Sequence, residues 1–275
     1  MHSSRSREGT RGDTGFQVAG SAASLAQELE MHMASRRRTV SLFGAALLFC
    51  IASPHAEQLA SSSGAPNGQS PDDGTSGANL ATPPGLPAVG KWMLGSDGAA
   101  AHWLGERVRG KGLREPINVV VVDEAARDAA EATARLLAAA RAAGYPVRMG
   151  HSTGYRAAIG GQLYAQLPRG RDDAFSDAPF EFSNNHGRVF GPHPVGGAFV
   201  FVAAFSREEV DPFRSPGHRY ASFNRARDDF TQRLDGATPF KVSGFVPLDN
   251  AILGDPAVTT GDHDGVAVLV RAGKE

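Results

Sequence analysis

The chain has 275 residues, with 28 Lys and Arg against 29 Asp and Glu, which gives a formal net charge of −1. Proteins that bind nucleic acid use an excess of positive charge to attract the phosphate backbone, so we expect no nucleic-acid partner. The chain has one cysteine, so no intrachain disulfide can form and the fold must depend on its apolar core.

Residues 1–56 are predicted to be a leader that contains a secretory signal peptide. Residues 36–38 are three arginines, residues 40–52 are an apolar core, and Ala56 offers a small residue for cleavage. The apolar core is shorter than the roughly 20 residues that span a bilayer. We therefore expect a periplasmic or secreted protein with no stable transmembrane span in its mature form.

Three alternatives remain open for this leader. It could stay uncleaved as an anchor. Translation could begin at Met33 instead of Met1, and Arg37-Arg38 resembles a twin-arginine signal, which would imply export after folding rather than before it. Cleavage after Ala56 removes six basic and four acidic residues, which leaves 22 Lys and Arg against 25 Asp and Glu.

Residues 57–89 are rich in Ser, Gly, Pro and Asn. Such a segment buries too little apolar surface to offset the entropy lost on ordering, so it is predicted to be a disordered linker. The folded domain is predicted to span residues 90–275.

The first half of this domain is predicted as strand, helix and strand. Residues 117–123 are a β-branched run between polar residues, which is typical of a buried strand. Asp123 can then cap a helix that runs through Ala143 and ends at Gly144. Residues 147–150 follow as a second strand.

The second half is predicted to contain four more strands and one helix. Residues 162–167 form a short strand, and residues 198–205, apolar on both faces, form a central one. Ser222 caps an amphipathic helix whose buried stripe is Phe223, Ala226, Phe230 and Leu234. Residues 240–246 and 266–270 are the last strands. Helices are too few to connect every pair of strands, so we expect a single compact α/β domain with a mixed β-sheet and two main helices.

Residues 150–154 match the G-x-S-x-G pattern of serine hydrolases and follow a predicted strand. A secreted serine hydrolase is therefore the alternative function. The α/β-hydrolase order of serine, acid and histidine would be met by Ser152, Asp249 or Asp255, and His263. However, residues 155–161 are too short and too glycine-rich for the helix that should follow the serine.

No metal site and no cofactor are predicted. His186 and His193 are seven residues apart across a Gly-Pro pair, which is not a recognised zinc-ligand spacing. Asp262 and Asp264 flank His263 between two glycines, where acidic residues also form turns well.

Residues 181–193 combine two histidines, two asparagines and an arginine with glycines. One interpretation is a turn-rich connection into the central strand, with Arg188 paired to a carboxylate. The other is a polar pocket at the sheet edge for a small anionic ligand, because an arginine fork suits carboxylate or phosphate. The candidate ligand-binding residues are Asn185, His186, Arg188 and His193.

The order of several short blocks resembles the LssY C-terminal-like domain, a bacterial domain found alone or behind membrane phosphatase modules. The blocks are residues 116–122, 142–145, 163–167, 184–188, 200–208, 218–220 and 227–229. The similarity covers about residues 112–250. Within the family's histidine and basic cluster, which is usually denser, His186 and Arg188 match. The resemblance implies a fold and the location of a site, but no reaction. We expect an exported cell-envelope protein that binds a small anionic ligand or an envelope partner.

Overall fold

A computed structural model of the chain describes residues 77–170, 172–213 and 217–273. The predicted leader, its signal peptide and residues 57–76 of the predicted linker lie outside the described residues. Within the described ranges, no helix is both long enough and apolar enough to cross a membrane.

The described ranges contain two α-helices, α1 (Ala129–Ala142) and α2 (Phe223–Ala237), and a short 3-10 turn at Gly77–Asn79. They also contain fifteen strands: β1 (Leu80–Ala81), β2 (Val89–Gly90), β3 (His102–Val108), β4 (Lys111–Arg114), β5 (Val119–Asp123), β6 (Val147–Met149), β7 (Arg156–Ile159), β8 (Gln162–Leu167), β9 (Asp173–Ser176), β10 (Asn184–Val195), β11 (Ala198–Val210), β12 (His218–Ser222), β13 (Lys241–Pro247), β14 (Val258–Thr259) and β15 (Val266–Ala272).

Twelve strands form one mixed sheet with the order β1-β2-β7-β8-β10-β11-β5-β15-β13. In addition, β12 pairs with β11, and β9 pairs with β10 and β6. Strands β5 and β15 run parallel, whereas β10, β11 and β5 are successive antiparallel neighbours. Strands β14, β4 and β3 form a small second sheet. The prediction of a mixed sheet with two main helices is confirmed.

Helix α1 begins later than the sequence predicts. Its N-cap is Asp128, whose side chain accepts a hydrogen bond from a backbone N–H of the first turn. Asp123 ends β5 instead, and its carboxylate accepts from the backbone N–H groups of Ala125 and Ala126. The same carboxylate pairs with Arg135 of α1 at 2.8 Å. A short acidic side chain at a strand end thus stabilises the turn before the helix rather than the helix itself.

Helix α2 matches its prediction closely. Ser222 is the N-cap and accepts from the backbone N–H of Arg225. The helix extends one residue past the predicted end at Gly236, to Ala237. The predicted stripe is fully buried: Phe223, Ala226, Phe230 and Leu234.

The two faces of the sheet pack against different layers. One face contacts both helices through side chains such as Val121, Phe205 and Phe230. The opposite face packs on the segments at the N-terminal side of the domain through side chains such as Val89 and Val202. Because successive side chains of a strand alternate between faces, each strand of the centre supplies both layers.

The interpretation of residues 181–193 as a turn-rich connection is wrong. Residues from Asn184 onward form β10, which pairs with β11 along nearly its whole length. Glycine is needed for close packing at Gly187, where a Cβ atom would lie 2.5 Å from the ring of Phe205. It is needed for backbone conformation at Gly191, which has a φ of +127° within a β-bulge. These residues serve cross-strand packing rather than turns.

Residues 77–89, which composition assigns to the linker, lie within the fold. The side-chain oxygen of Asn79 accepts a hydrogen bond from the indole N–H of Trp92 at 3.2 Å. Val89 is fully buried and pairs with Ile159 of β7. The folded domain therefore begins at or before Gly77 rather than near Gly90.

Candidate functional site

The site is formed by alternate residues of β10 and β11, which lie on the face of the sheet away from the helices. Asn184, His186 and Arg188 alternate along β10, and Ser206 and Glu208 alternate along β11. In the antiparallel register, Asn184 lies opposite Glu208 and His186 lies opposite Ser206. All five side chains are buried. The period of two along both strands thus gathers polar groups where a core would otherwise be apolar.

A cavity of about 110 Å³ lies against this cluster. The loop between β6 and β7 supplies His151 and Ser152 to its wall. The ring of His151 stacks on that of His186 with 4.6 Å between centroids. Phe180 meets His151 edge-on at 5.5 Å and stacks on His218 of β12 at 4.4 Å. The full lining is Trp103, Leu104, Glu115, Gly150, His151, Ser152, Phe180, His186, Arg188 and Glu208.

Hydrogen bonds orient His186 and define its tautomer. The amide nitrogen of Asn184 donates to the carbonyl of Phe182 and, at 2.6 Å, to Glu208 Oε1. Asn184 Oδ1 is therefore an acceptor, and His186 Nδ1 donates to it at 3.0 Å. The lone pair of His186 is then on Nε2, which lies 3.3 Å from Ser206 Oγ. Ser206 Oγ itself accepts from the indole N–H of Trp103.

Two carboxyl groups face the cavity in an environment that favours their neutral forms. Burial raises the pKa of Glu115 to about 7, although the nearby charge of Arg188 acts in the opposite direction. Burial also raises the pKa of Glu208, against the effects of Asn184, His218 and Arg188. His218 Nδ1 lies 3.3 Å from Glu208 Oε1 at an angle that makes no hydrogen bond.

Two histidines of the site, His151 and His186, have a lowered pKa and are neutral at pH 7. Burial, together with the charge of Arg188, holds the pKa of His186 well below its usual value. The same two causes, with a contribution from His218, lower the pKa of His151 to about 4. Both imidazoles therefore offer lone pairs rather than positive charge.

Arg188 provides the charge of the site. It is buried, and its Nη2 donates to the backbone oxygen of Ser152 at 2.9 Å and to Ser152 Oγ at 3.3 Å. The guanidinium also lies over the ring of Tyr155, 5.0 Å from the centroid. Within the described ranges no carboxylate lies at ion-pair distance from Arg188, although its charge acts on Glu115 and Glu208.

Three buried side-chain nitrogens of the site have no hydrogen-bond partner: His151 Nε2, Arg188 Nε and His218 Nδ1. Buried polar atoms are nearly always hydrogen-bonded in folded proteins, and an exception calls for an explanation. His151 and Arg188 both line the cavity, which indicates a place where a ligand supplies the missing partners.

The same region also gathers potential metal donors. The sequence predicts no metal site, yet one donor atom each from His151, His186 and Glu208 lie within 4.8 Å of one another. Two imidazoles and a carboxylate are donors that zinc accepts. These residues are 35 and 22 positions apart along the chain, so no short-range spacing could have indicated them.

Of the four candidate ligand-binding residues, His186 and Arg188 lie in the site and the other two do not. Asn185 donates to Asp177 at 2.8 Å as part of a separate cluster. His193 lies opposite Val200, six residues along β11 from the partner of His186, which places it about 20 Å away. Its Nδ1 pairs with the Tyr164 hydroxyl at 2.9 Å.

The predicted hydrolase residues do not come together. Ser152 Oγ contacts the Tyr155 hydroxyl at 2.8 Å, and the chain continues into β7 rather than into the helix that a nucleophile elbow requires. His263 Nε2 pairs with Asn250 Oδ1 at 2.7 Å, and its Nδ1 has no hydrogen-bond partner. Asp249 is exposed and has a φ of +49°.

Several residues of the site were not predicted: Trp103, Glu115, His151, Asn184, Ser206, Glu208 and His218. One signal was available. An alternation of polar side chains at Asn184, His186 and Arg188, followed by Ser206 and Glu208 after an apolar strand, is typical of two strands that share a polar face.

No family model, no curated protein and no solved structure matches this chain. The resemblance to the LssY C-terminal-like domain therefore stays a proposal that rests on the sequence blocks alone.

Proposed function

We propose that the folded domain binds a small anionic ligand in the 110 Å³ cavity, with Arg188 and Ser152 as its main contacts. The observation that carries this proposal is the buried guanidinium of Arg188, whose Nε has no hydrogen-bond partner and which forms no close ion pair among the described residues. Removing a charge from water is costly, and an anion that enters the cavity offsets more of that cost than the more distant Glu115 and Glu208 do.

The surroundings of Arg188 support an anion rather than a cation as its partner. The imidazoles of His151 and His186 are neutral at pH 7, and burial raises the pKa of Glu115 to about 7. The positive charge is therefore only partly compensated within the site. Arg188 Nε has no hydrogen-bond partner, and the fork geometry of a guanidinium matches carboxylate and phosphate oxygens.

The size of the cavity limits the ligand. Pockets for drug-sized molecules usually measure about 300–1,000 Å³, so a cavity of about 110 Å³ admits a small anion or one anionic group. A wider cleft of about 470 Å³ is lined by Thr153 and Tyr155, among others, and Thr153 follows Ser152 of the cavity wall in the chain. Tyr155 also stacks on Arg188, so the remainder of a larger ligand would extend into this cleft.

The proposed localisation of the protein is supported by the sequence alone. The leader over residues 1–56 supports export to the periplasm or beyond the cell, and the LssY C-terminal-like blocks support a role at the cell envelope. We propose an exported protein on this basis. The serine-hydrolase alternative has less support, because Ser152 has Tyr155 and Arg188 rather than His263 as its neighbours.

Calorimetry with inorganic phosphate and with acetate tests the anion site. We expect saturable binding of at least one of these probes to the wild-type chain and at least tenfold weaker binding to Arg188→Gln. Arg127→Gln is the matched control, since it removes the same charge from an exposed helix-start ion pair. Equal binding by all three proteins, or no binding to any of them, would contradict the proposal.

A thermal-shift experiment provides a second readout of the same site. A ligand present at about 100 times its dissociation constant stabilises the folded state by about 2.7 kcal/mol. Wild-type protein and Arg127→Gln should gain this increment, whereas Arg188→Gln should not.

A further inference from the structure

We propose that His151, His186 and Glu208 bind a divalent transition-metal ion of the zinc type. This inference goes beyond the anion site, because Arg188 is not one of the three donors. The donors come from three separate segments: the loop after β6, strand β10 and strand β11. All three are buried at one wall of the same cavity.

The separation of the donor atoms suits one ion. A tetrahedral zinc ion with bonds of about 2.1 Å places its ligand atoms about 3.4 Å apart. The three donor atoms lie within 4.8 Å of one another. Side-chain rotations that move atoms by about 1 Å would therefore bring all three to bonding distance. The backbone positions need no change on this scale.

Each donor residue can offer a lone pair. His151 Nε2 is buried and has no hydrogen-bond partner, so it is free to ligate. In His186, Nδ1 is the nitrogen near Glu208, 3.9 Å from Oε1, so we take it as the ligating atom, and metal binding would replace its hydrogen bond to Asn184 Oδ1. The ring proton would then be on Nε2, which lies 3.3 Å from Ser206 Oγ and can donate to it.

The residues around the donors resemble the outer shell of known metal sites. Metal-binding histidines usually donate their second ring N–H to a carbonyl or carboxylate, which fixes the tautomer and orientation. With Nδ1 on the metal, His186 would donate its Nε2–H to Ser206 Oγ, and the amide nitrogen of Asn184 holds Glu208 Oε1 at 2.6 Å. Ser206 and Asn184 would thus each orient one of the three donors.

The donor set indicates which ion binds. Imidazole nitrogen favours zinc and its neighbours over magnesium or calcium, which prefer oxygen ligands. Two histidines and a glutamate leave one position of a tetrahedral ion open, as in catalytic zinc sites. That position would face the cavity, since all three donors line it.

Isothermal titration of the untagged, metal-free full chain with Zn²⁺, and separately with Mg²⁺, tests the proposal. We expect one equivalent of Zn²⁺ to bind and Mg²⁺ not to bind. His151→Gln and Glu208→Gln should each weaken the zinc affinity about 100-fold or more, since changes to outer-shell residues alone cost 10- to 100-fold. His193→Gln is the matched control, because His193 lies on β10 like His186 but outside the three donors. This variant should bind Zn²⁺ with the affinity of the wild type.

Visible absorption spectra of the Co²⁺-loaded protein provide a second test, which uses the wild type and so does not depend on whether a donor variant folds. Wild-type protein should give the intense visible bands of four-coordinate cobalt, and His193→Gln should give the same bands. Arg188→Gln should retain metal while losing phosphate binding, so the two proposals fail separately. If His151, His186 and Glu208 form only a hydrogen-bonded polar core, zinc binding will be absent or will be equal in every variant. Either result would overturn the metal site.

Discussion

Two buried histidine environments in this domain differ in what their side chains do. His263 pairs with Asn250, whose amide nitrogen donates to the backbone oxygens of Lys91 and Ile117 at 2.8 and 2.9 Å. It thereby joins the C-terminal loop to the start of the domain and to the approach to β5. His151 and His186 instead line a cavity beside Arg188.

The difference shows what distinguishes a structural histidine from a candidate ligand-binding one. His263 Nδ1 also lacks a hydrogen-bond partner, so one unpartnered nitrogen does not mark a site. At the cavity, by contrast, the unpartnered nitrogens of two lining residues, His151 and Arg188, face the same space, and one of them belongs to a charged guanidinium. Convergence on a shared space, rather than burial alone, indicates a ligand.

Asn250→Ala should have the largest effect on stability. The change removes the side-chain partner of the Ile117 carbonyl and of His263 Nε2, whereas the Lys91 carbonyl still accepts from the backbone N–H of Ile117. Each buried polar group left unsatisfied costs about 1–3 kcal/mol, so we expect a loss of at least about 2 kcal/mol. Urea denaturation at pH 7 measures it. A loss below about 1 kcal/mol would show that this network is not what holds the two segments together.

His263 should make stability depend on pH. Burial lowers its pKa to about 4, with opposing effects from Asp264 and Asp262 and a further lowering by Arg227. Below pH 6.5 the unfolded state binds the proton more readily than the folded state does. The stability that neutral His263 provides is therefore complete above pH 6.5 and is lost as the pH falls towards 4.

The matched variant for this effect is His263→Gln, whose amide can still donate to Asn250. Between pH 7 and pH 4.5, we expect the wild type to lose about 2–3 kcal/mol more than the variant does. Parallel urea titrations at the two pH values give the difference. Identical pH profiles would mean that His263 titrates equally in both states.

Shortening the chain tests the N-terminal side of the same structural region. A fragment that starts at Gly90 lacks Val89, which is fully buried, and Asn79, the partner of Trp92. Loss of the buried valine, of the Trp92 hydrogen bond and of the backbone bonds from Lys91 to Asn79 and from Gly160 to Ala88 should cost at least about 2–3 kcal/mol relative to a fragment that starts at Gly77. Thermal melting of both fragments measures this cost. Equal melting temperatures would show that residues 77–89 do not stabilise the domain, as the linker prediction holds.

His151→Gln should have the smallest effect on stability. Its Nε2 makes no hydrogen bond, and side chains that serve a ligand are seldom optimised for folding. We expect a change within about 1 kcal/mol of the wild type at pH 7. If the free energy of unfolding falls as much as in Asn250→Ala, His151 has a structural role like that of His263, and the contrast between the two environments is lost.

The sequence predicted those features of the fold that depend on residues close together in the chain. The stripe of α2 and its Ser222 cap depend on neighbours within a few residues, and both were predicted. Strand β10 was misassigned, because its glycines and asparagines are typical of turns. Their role comes from contacts with Phe205 and Glu208, which lie far along the chain.

The site shows the same limit more strongly. His186 and Arg188 were identified because they stand close together among unusual neighbours. His151 and Glu208 join them only after β6, β10 and β11 have taken their places in the fold. These residues are far apart in the sequence and meet only in the folded sheet. No rule of sequence spacing relates them, so the cavity could not be predicted.

The most direct test of the ligand site is long-range proton–nitrogen NMR of the histidine rings during separate titrations with inorganic phosphate and with acetate, in which at least one anion should act. It compares both environments in one sample, with His263 as the internal reference. We predict saturable shifts for the ring nitrogens of His151 and His186 and no shift for those of His263. Unchanged signals from His151 and His186, or equal shifts in all three histidines, would contradict the account.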